Sequence, residues 1–254
     1  SFRFIFLLSV CCFNLSVESA TSDNEDLLGE SLVSACQYNE IDLVNDLIEQ
    51  GANVNHVRPD DKVTPLITAA GSGHYKIVKS LLEHDADVNF KDQLGRTAFL
   101  ADSTGGYVKV LQLLLEHGID AKSKFTALLS ACANEKIKVV ELLLKETDID
   151  CNIADAFGET PLIRAPPLGY YKIVEVLLRH GNVNVNLVDG NGWTALMYAA
   201  IYGHYVVADI LLRRPDLNVT AVDHTGMNAE RWAIKRGHSR IADLIHLKNK
   251  GFKN

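Results

Sequence analysis

A threonine followed by proline or alanine and then an apolar residue recurs along the chain at a nearly constant interval, and no other feature restricts the fold as tightly. Thr64 opens TPLITAA, Thr97 TAFLADS, Thr126 TALLSAC, Thr160 TPLIRAP and Thr194 TALMYAA, with Asn228 of NAERWAI in the sixth place. The successive intervals are 33, 29, 34, 34 and 34. An earlier segment, ESLVSACQYNEIDLVNDLIEQGANVN, aligns one such interval upstream, so that Val44 matches Val78. Seven copies of one unit therefore run from about residue 28 to the C-terminus. Such a period means stacked supersecondary units rather than a single globular core.

The internal pattern of the unit has a direct physical reading. Thr64 is suited to accept a hydrogen bond from the free N–H groups of a first helical turn, and Pro65 suits the next position, where no N–H partner is lost. Leu66, Ala69 and Ala70 share one face, and two alanines let a neighbouring helix come close. Gly73 ends this helix, and a second one from Tyr75 carries Ile77, Val78, Leu81 and Leu82 as a broad apolar stripe. The following HDADVNFKDQLGR, rich in Asp, Asn and Gly, reads as an extended turn. Helices this short are below the ~12–15 residues at which an isolated helix is even marginal in water, so each unit must lean on its neighbours.

The strings TPLITAAGSGHYKIVKSLLEHDADVN, GWTALMYAAIYGHYVVADILL and GETPLIRA with YYKIVEVLLRHGNVNVN resemble the ankyrin repeat, whose period of about 33 residues opens on T-P-L-H-x-A. The resemblance implies an all-α solenoid of stacked helix-turn-helix repeats with short β-like turn fingers. The expected organisation is a leader at 1–20, a polar spacer at 21–27 and repeats at 28–60, 61–93, 94–122, 123–156, 157–190, 191–224 and 225–254. One departure is general. The family's histidine is replaced by Ile67, Leu100, Leu129, Ile163, Met197 and Arg231, so its side-chain bonds are not expected here.

Residues with the look of chemistry follow the same period. His74 recurs as His204 and His238, and His84 as His117 and His180, always at one place in the unit. A catalytic group has no reason to recur once per repeat, whereas a turn-capping histidine has. Asp87 and Asn89 have counterparts in Asn53 and Asn55 and in Asn184 and Asn186. The acidic turns therefore read as backbone hydrogen bonding, with no metal site. No P-loop, G-x-S-x-G elbow, H-E-x-x-H or paired C-x-x-C is present, so the reading is of a non-enzyme without cofactor.

Departures from the period gather between positions 95 and 170. The interval shrinks to 29 in GIDAKSKFTALL, where the turn before Thr126 is cut short. Asp102 stands where Ala69 stands in its repeat, and a carboxylate on a packed face costs several kcal/mol unless it is paired or turned out. Pro166 replaces Ala70; its missing N–H and its ring act against the carbonyl of Leu162, so the first helix of that repeat should stop early or kink, at about 3 kcal/mol in a helix interior. These faults read either as a hinge or partner groove or as drift in units held by their neighbours.

The resemblance implies a protein-interaction module that binds another protein on its concave face through the turn tips and the exposed side of the first helices. Those places map onto Arg58, Lys91, Arg96, Phe157, Val188, Trp193, Ile201 and Tyr202. Phe157 and Trp193 flank Gly158 and Gly192 in polar turns, and aromatics and arginines carry much interface energy; Trp193 and Tyr202 are expected to form an anchor patch, unless each covers only the adjacent turn. The alternative is a fragment of a larger ankyrin-repeat protein, a channel, toxin or enzyme, whose active part lies elsewhere.

The net charge of −7 gives no electrostatic reason to approach a phosphate backbone, so nucleic acid is not an expected partner. Arg3 followed by an apolar run from Phe4 to Phe13 and then small residues has the layout of a signal peptide, and is too short to span a bilayer. That predicts a secreted monomer in which Asn218 of NVT is a glycan acceptor. A cytoplasmic protein is the alternative, since the chain begins with Ser rather than Met and Cys36, Cys132 and Cys151 form no disulfide framework. Buried free thiols are their expected state.

Overall fold

The structure, a computed structural model, describes residues 17–251. Residues 1–16, the body of the expected leader, lie outside them. Among the described residues seven helix pairs follow one another: α1 (Val17–Gln37) with α2 (Ile41–Glu49), α3 (Pro65–Gly71) with α4 (Tyr75–Glu83), α5 (Ala98–Gly105) with α6 (Val108–Leu115), and α7 (Ala121–Ala133) with α8 (Ile137–Glu146). The last three are α9 (Pro161–Arg164) with α10 (Tyr171–Arg179), α11 (Ala195–Tyr202) with α12 (Tyr205–Leu212), and α13 (Ala229–Arg236) with α14 (Ser239–Asn249). The segment 21–27, expected as a spacer, belongs to the long helix α1.

The packing is that of a stack. First helices touch the next first helix, from α1 to α3 and onward to α13, and second helices do the same from α2 to α14. Leu66, Ala69, Ala70, Ile77, Val78, Leu81 and Leu82 are all buried, as the pattern predicts. No strand forms among the described residues; one isolated antiparallel bridge, Val188 with Thr194, marks a finger. The fold is thus an all-α repeat solenoid.

Local chemistry explains the regularity. Thr64, Thr97, Thr160, Thr194 and Asn228 each accept a bond from the backbone N–H three positions on, which satisfies one of the free donors of a helix start. Asn55, Asn152 and Asn186 tie successive repeats together. Each accepts from the N–H 32 residues ahead at 2.7 Å, and each donates to the carbonyl 30 residues ahead.

Five of the six recurring histidines bond to backbone carbonyls. His74, His204 and His238 bond through Nε2 to the carbonyls of Gln37, Pro167 and Ile201, each 37 residues back. The His204 and His238 rings also lie over Gly169 and Gly203, left-handed at φ 73° and 78°, and leave no room there for a side chain. His84 and His117 bond instead to the carbonyl four positions before them, at 2.8 Å.

The three faults take distinct forms. Thr126, whose spacing places it at a helix start, lies inside α7, and its hydroxyl donates to the Lys122 carbonyl at 2.8 Å. Asp120 is the cap, accepting from the Ser123 N–H at 2.8 Å and the Ser123 hydroxyl at 2.6 Å. Too little chain remains before Thr126 to build a finger, so the helix extends backward in its place. Pro166 stops α9 after one turn, and Pro166–Leu168 form a 3-10 turn closed by left-handed Gly169. Asp102 has not turned out: it is 0% exposed, and neither carboxylate oxygen has a hydrogen-bond partner among the described residues. Burial pushes its pKa up to about 8, with only the nearby Tyr107 backbone N–H pulling the other way.

Candidate partner-binding surface

The fingers are built around an aspartate, buried or half-buried, outside the set of residues expected from the sequence. Asp92, Asp155, Asp189 and Asp223 each open an Asp-x-x-Gly turn, with Gly95, Gly158, Gly192 and Gly226 in the left-handed region at φ 74–79°. One oxygen of each carboxylate accepts from the N–H groups two and four positions on. The other reaches a different partner in each repeat: Arg96 at 2.8 Å, Arg164 at 2.9 Å, the Tyr198 hydroxyl at 2.7 Å, and for Asp223 both indoles, Trp193 at 2.9 Å and Trp232 at 2.8 Å. Burial alone would raise Asp223. Bonds from Thr225, the Met227 N–H and Trp232 outweigh it and hold the carboxyl below the usual carboxylate range. The signal in the sequence was D-x-x-G, which recurs with the period of the unit from Asp155 to Asp189 to Asp223.

The fourth repeat lacks such a finger, and a cleft of 740 Å³ opens beside it. Its floor is the face of α7 bearing Phe125, Leu129 and Ala133, and its far wall is the fifth finger with Ile153, Ala154 and Ala156. Lys122, Ser130, Asp155 and Arg164 supply the polar rim. Arg164 bridges Asp155 at 2.9 Å and Glu159 at 2.8 Å, which fixes the finger against α9. Ile153 is 49% exposed and the adjacent Phe157 75%. Neither Phe125 nor Ile153 was marked by sequence reasoning, because the cleft exists only where α7 and the next repeat's finger, separated along the chain by the whole of α8, come together.

The residues expected to grip a partner are spread along the stack. Arg58 is half-buried and held by a two-pronged pair with Asp61 at 2.6 and 2.9 Å. Arg96 is exposed but committed to Asp92, and Lys91 is exposed beside Asp120. Phe157 and Val188 are exposed. Trp193 is half-buried, edge-on to Tyr198 at 5.2 Å and to Trp232 at 5.7 Å. Tyr202 is 53% exposed and stacks over Tyr198 at 6.3 Å. Ile201, expected on an exposed face, is instead buried at 5%, because α11 is apolar nearly all round and packs against the first helices on either side. Asn218 is exposed, its Oδ1 accepting from the Thr220 N–H and hydroxyl.

The cysteines behave as predicted. Cys36, Cys132 and Cys151 are free and buried, and burial pushes all three thiols above their ordinary value, Cys36 to about 12 and Cys151 to about 11. Among the described residues no group of three His, Cys, Asp or Glu side chains is placed to hold a metal ion, and no helix is long and apolar enough to cross a membrane.

Paired short helices, stacked in series and joined by aspartate-centred fingers, define a repeat protein that presents an extended surface. The chain belongs to the ankyrin repeat family: its profile, ankyrin repeats in three copies, matches residues 32–125, 105–189 and 169–253. The chain is 38% identical over 81 residues to the ankyrin repeat and KH domain-containing protein mask of Drosophila melanogaster, covering 32% of this chain and 2% of that protein. It is 30% identical over 134 residues to mask-1 of Caenorhabditis elegans, covering 53% and 4%, and 39% identical over 69 residues to the 2-5A-dependent ribonuclease of Homo sapiens, covering 27% and 9%. It thus spans less than a tenth of the length of these relatives. Among solved structures, an ankyrin repeat domain from Acinetobacter baumannii AYE superimposes with a TM-score of 0.66 at 27% identity, covering 73% of this chain and 97% of that one.

Proposed function

We propose that this ankyrin-repeat chain is a non-catalytic interaction module that seats a protein partner on the face made by the fingers and first helices, with the central cleft as its anchor point. The observation that supports this most is the coincidence of an apolar cleft with the gap in the finger row, lined by exposed Ile153, with exposed Phe157 farther along the same finger. Apolar and aromatic side chains in a concave site supply the buried anchors that dominate interface energy. The central irregularities then serve binding: a missing finger opens the cleft that regular repeats would close.

The test is Ile153→Asp combined with Phe157→Asp, set against Tyr38→Asp, an exposed position in the first repeat. With circular dichroism unchanged in all three proteins, only the cleft variant should lose a partner recovered by cross-linking from native extract. Equal recovery by all three removes the cleft reading.

A second reading follows from the small share of each curated relative that the chain covers: the module works as part of a longer protein. An immunoblot of native tissue with an antibody against this chain would show a band well above 28.0 kDa. For secretion, the same native material should carry a glycan on exposed Asn218, and a bare Asn218 favours the cytoplasm.

A further inference from the structure

Neighbouring fingers are joined tip to tip by one rule. The N–H of the residue after each finger aspartate donates to the carbonyl at the tip of the preceding finger: Gln93 to Asp61 at 3.1 Å, Gly190 to Phe157 at 2.9 Å, His224 to Asn191 at 3.4 Å. The last two joints connect the first x of one Asp-x-x-Gly turn with the second x of the turn before. In the third finger that carbonyl belongs to Leu94, and in the fifth finger that N–H belongs to Ala156. The fourth finger, which would use both, is absent, and neither group has a hydrogen-bond partner among the described residues. The row therefore stops on both sides of the gap with an acceptor at Leu94 and a donor at Ala156. Open edges of this kind accept backbone from another chain.

Resting on the cleft reading above, we propose that the gap receives a protruding Asp-x-x-Gly-type loop from a partner protein, which stands in for the missing finger. Its first central N–H donates to the Leu94 carbonyl, and its second central carbonyl accepts from the Ala156 N–H.

Three further features suit such an occupant. The gap has an apolar floor, with Phe125 and Leu129 to cover and Ile153 beside them. Ser130 holds the place in α7 that Arg164, Tyr198 and Trp232 hold in their helices, where each binds its own finger's aspartate. The Ser130 hydroxyl forms no hydrogen bond among the described residues, where its backbone carbonyl is engaged instead, and it lines the cleft, ready for the carboxylate of an incoming loop. Lys122, exposed on the rim and in no ion pair among the described residues, adds the opposite charge. A carboxylate-bearing turn satisfies all of these groups together, whereas an apolar helix laid in the cleft would leave Leu94 and Ala156 unmatched.

The probe is a synthetic peptide copying residues 187–194, a finger of this chain, titrated into the isotope-labelled full chain. Binding at or below about 1 mM is expected, with backbone shifts at Leu94 and Ala156 and exchange of the Ala156 N–H slowed about tenfold. Replacing the peptide aspartate by alanine should weaken binding about tenfold, the loss of one charged hydrogen bond. A variant with a five-residue insertion after Ala121, restoring the interval from 29 to 34, should no longer bind; if it fails to fold, Ile153→Asp serves the same purpose. Absence of binding at that concentration overturns the proposal. So does binding that shifts Phe125 and Ile153 while Ala156 exchanges as before, an outcome that leaves the cleft as a binding site but removes the finger-like occupant. Concentration-dependent dimers of the unliganded chain, abolished by Ile153→Asp, would replace the partner protein by a second copy.

Discussion

Trp193 donates its indole N–H to the Asp223 carboxylate of the next finger at 2.9 Å, and Trp232 donates to the same oxygen at 2.8 Å. The contact joins the sixth finger to the seventh. It also shows what an aromatic at a finger base does here, since Trp193 is turned toward its neighbour while Phe157, in the second central position of its own turn, stands exposed. Asp223→Ala should cost about 2–4 kcal/mol, because two indoles and two backbone N–H groups lose a charged acceptor. Asp223 has a folded pKa below its unfolded value, so its stabilisation is present above about pH 4 and is lost as pH falls through the folded value. Urea unfolding of wild type and variant should therefore differ at pH 7 and converge in strong acid.

Asp102 has the opposite sign. The unfolded carboxyl ionises near 3.8, whereas the folded one holds its proton to about 8. Between those values the folded state binds more protons, so stability falls as pH rises from about 4 to about 8 and levels off above. The shift corresponds to a penalty on the order of 5 kcal/mol at high pH. Asp102→Ala, which restores the residue of the second repeat, should raise stability at pH 9 by about 2–5 kcal/mol and matter less at pH 5. Equal effects at both values would show that the carboxyl is ionised in the fold.

Pro166 and Pro167 together make the 3-10 turn that shortens α9. Changing Pro166 alone leaves a residue before proline, which disfavours the helical region, so Pro166→Ala should gain less than about 1 kcal/mol. The double change to alanine should extend α9 by a turn and gain about 1–3 kcal/mol. Far-ultraviolet circular dichroism with chemical denaturation reads both quantities. A loss in the double variant would mean that the turn is needed to present the Pro167 carbonyl to His204, at 3.0 Å.

Gly203 has φ +78°, and a Cβ placed on it would lie 2.6 Å from the His238 ring. Gly203→Ala should cost about 1–3 kcal/mol, from the left-handed backbone and the clash together. Adding His238→Ala relieves only the clash, so the double-mutant cycle should show a coupling above about 0.5 kcal/mol. Strict additivity would place the ring elsewhere in solution.

The Thr64-type caps, the paired helices and the alanine faces were legible because each depends on near neighbours in the chain, and the period repeats the message. Thr126 shows where that local reading stops: its string matches the others, yet Asp120 caps the helix, since the shortened turn lets α7 grow backward. Ile201 was misplaced because α11 is apolar on nearly every side, so its sequence does not say which side meets a neighbour.

The amino-acid order alone determined that this chain must be a stack, since helices this short cannot persist unaided and a period of 33 to 34 supplies like neighbours. The tertiary structure decided the rest: which faults stay buried, as at Asp102, which open a surface, as between Phe125 and Ile153, and which backbone groups, at Leu94 and Ala156, face a gap with no partner among the described residues. Those properties belong to residues one or two repeats apart, whose distance is fixed only once every repeat has packed on the next.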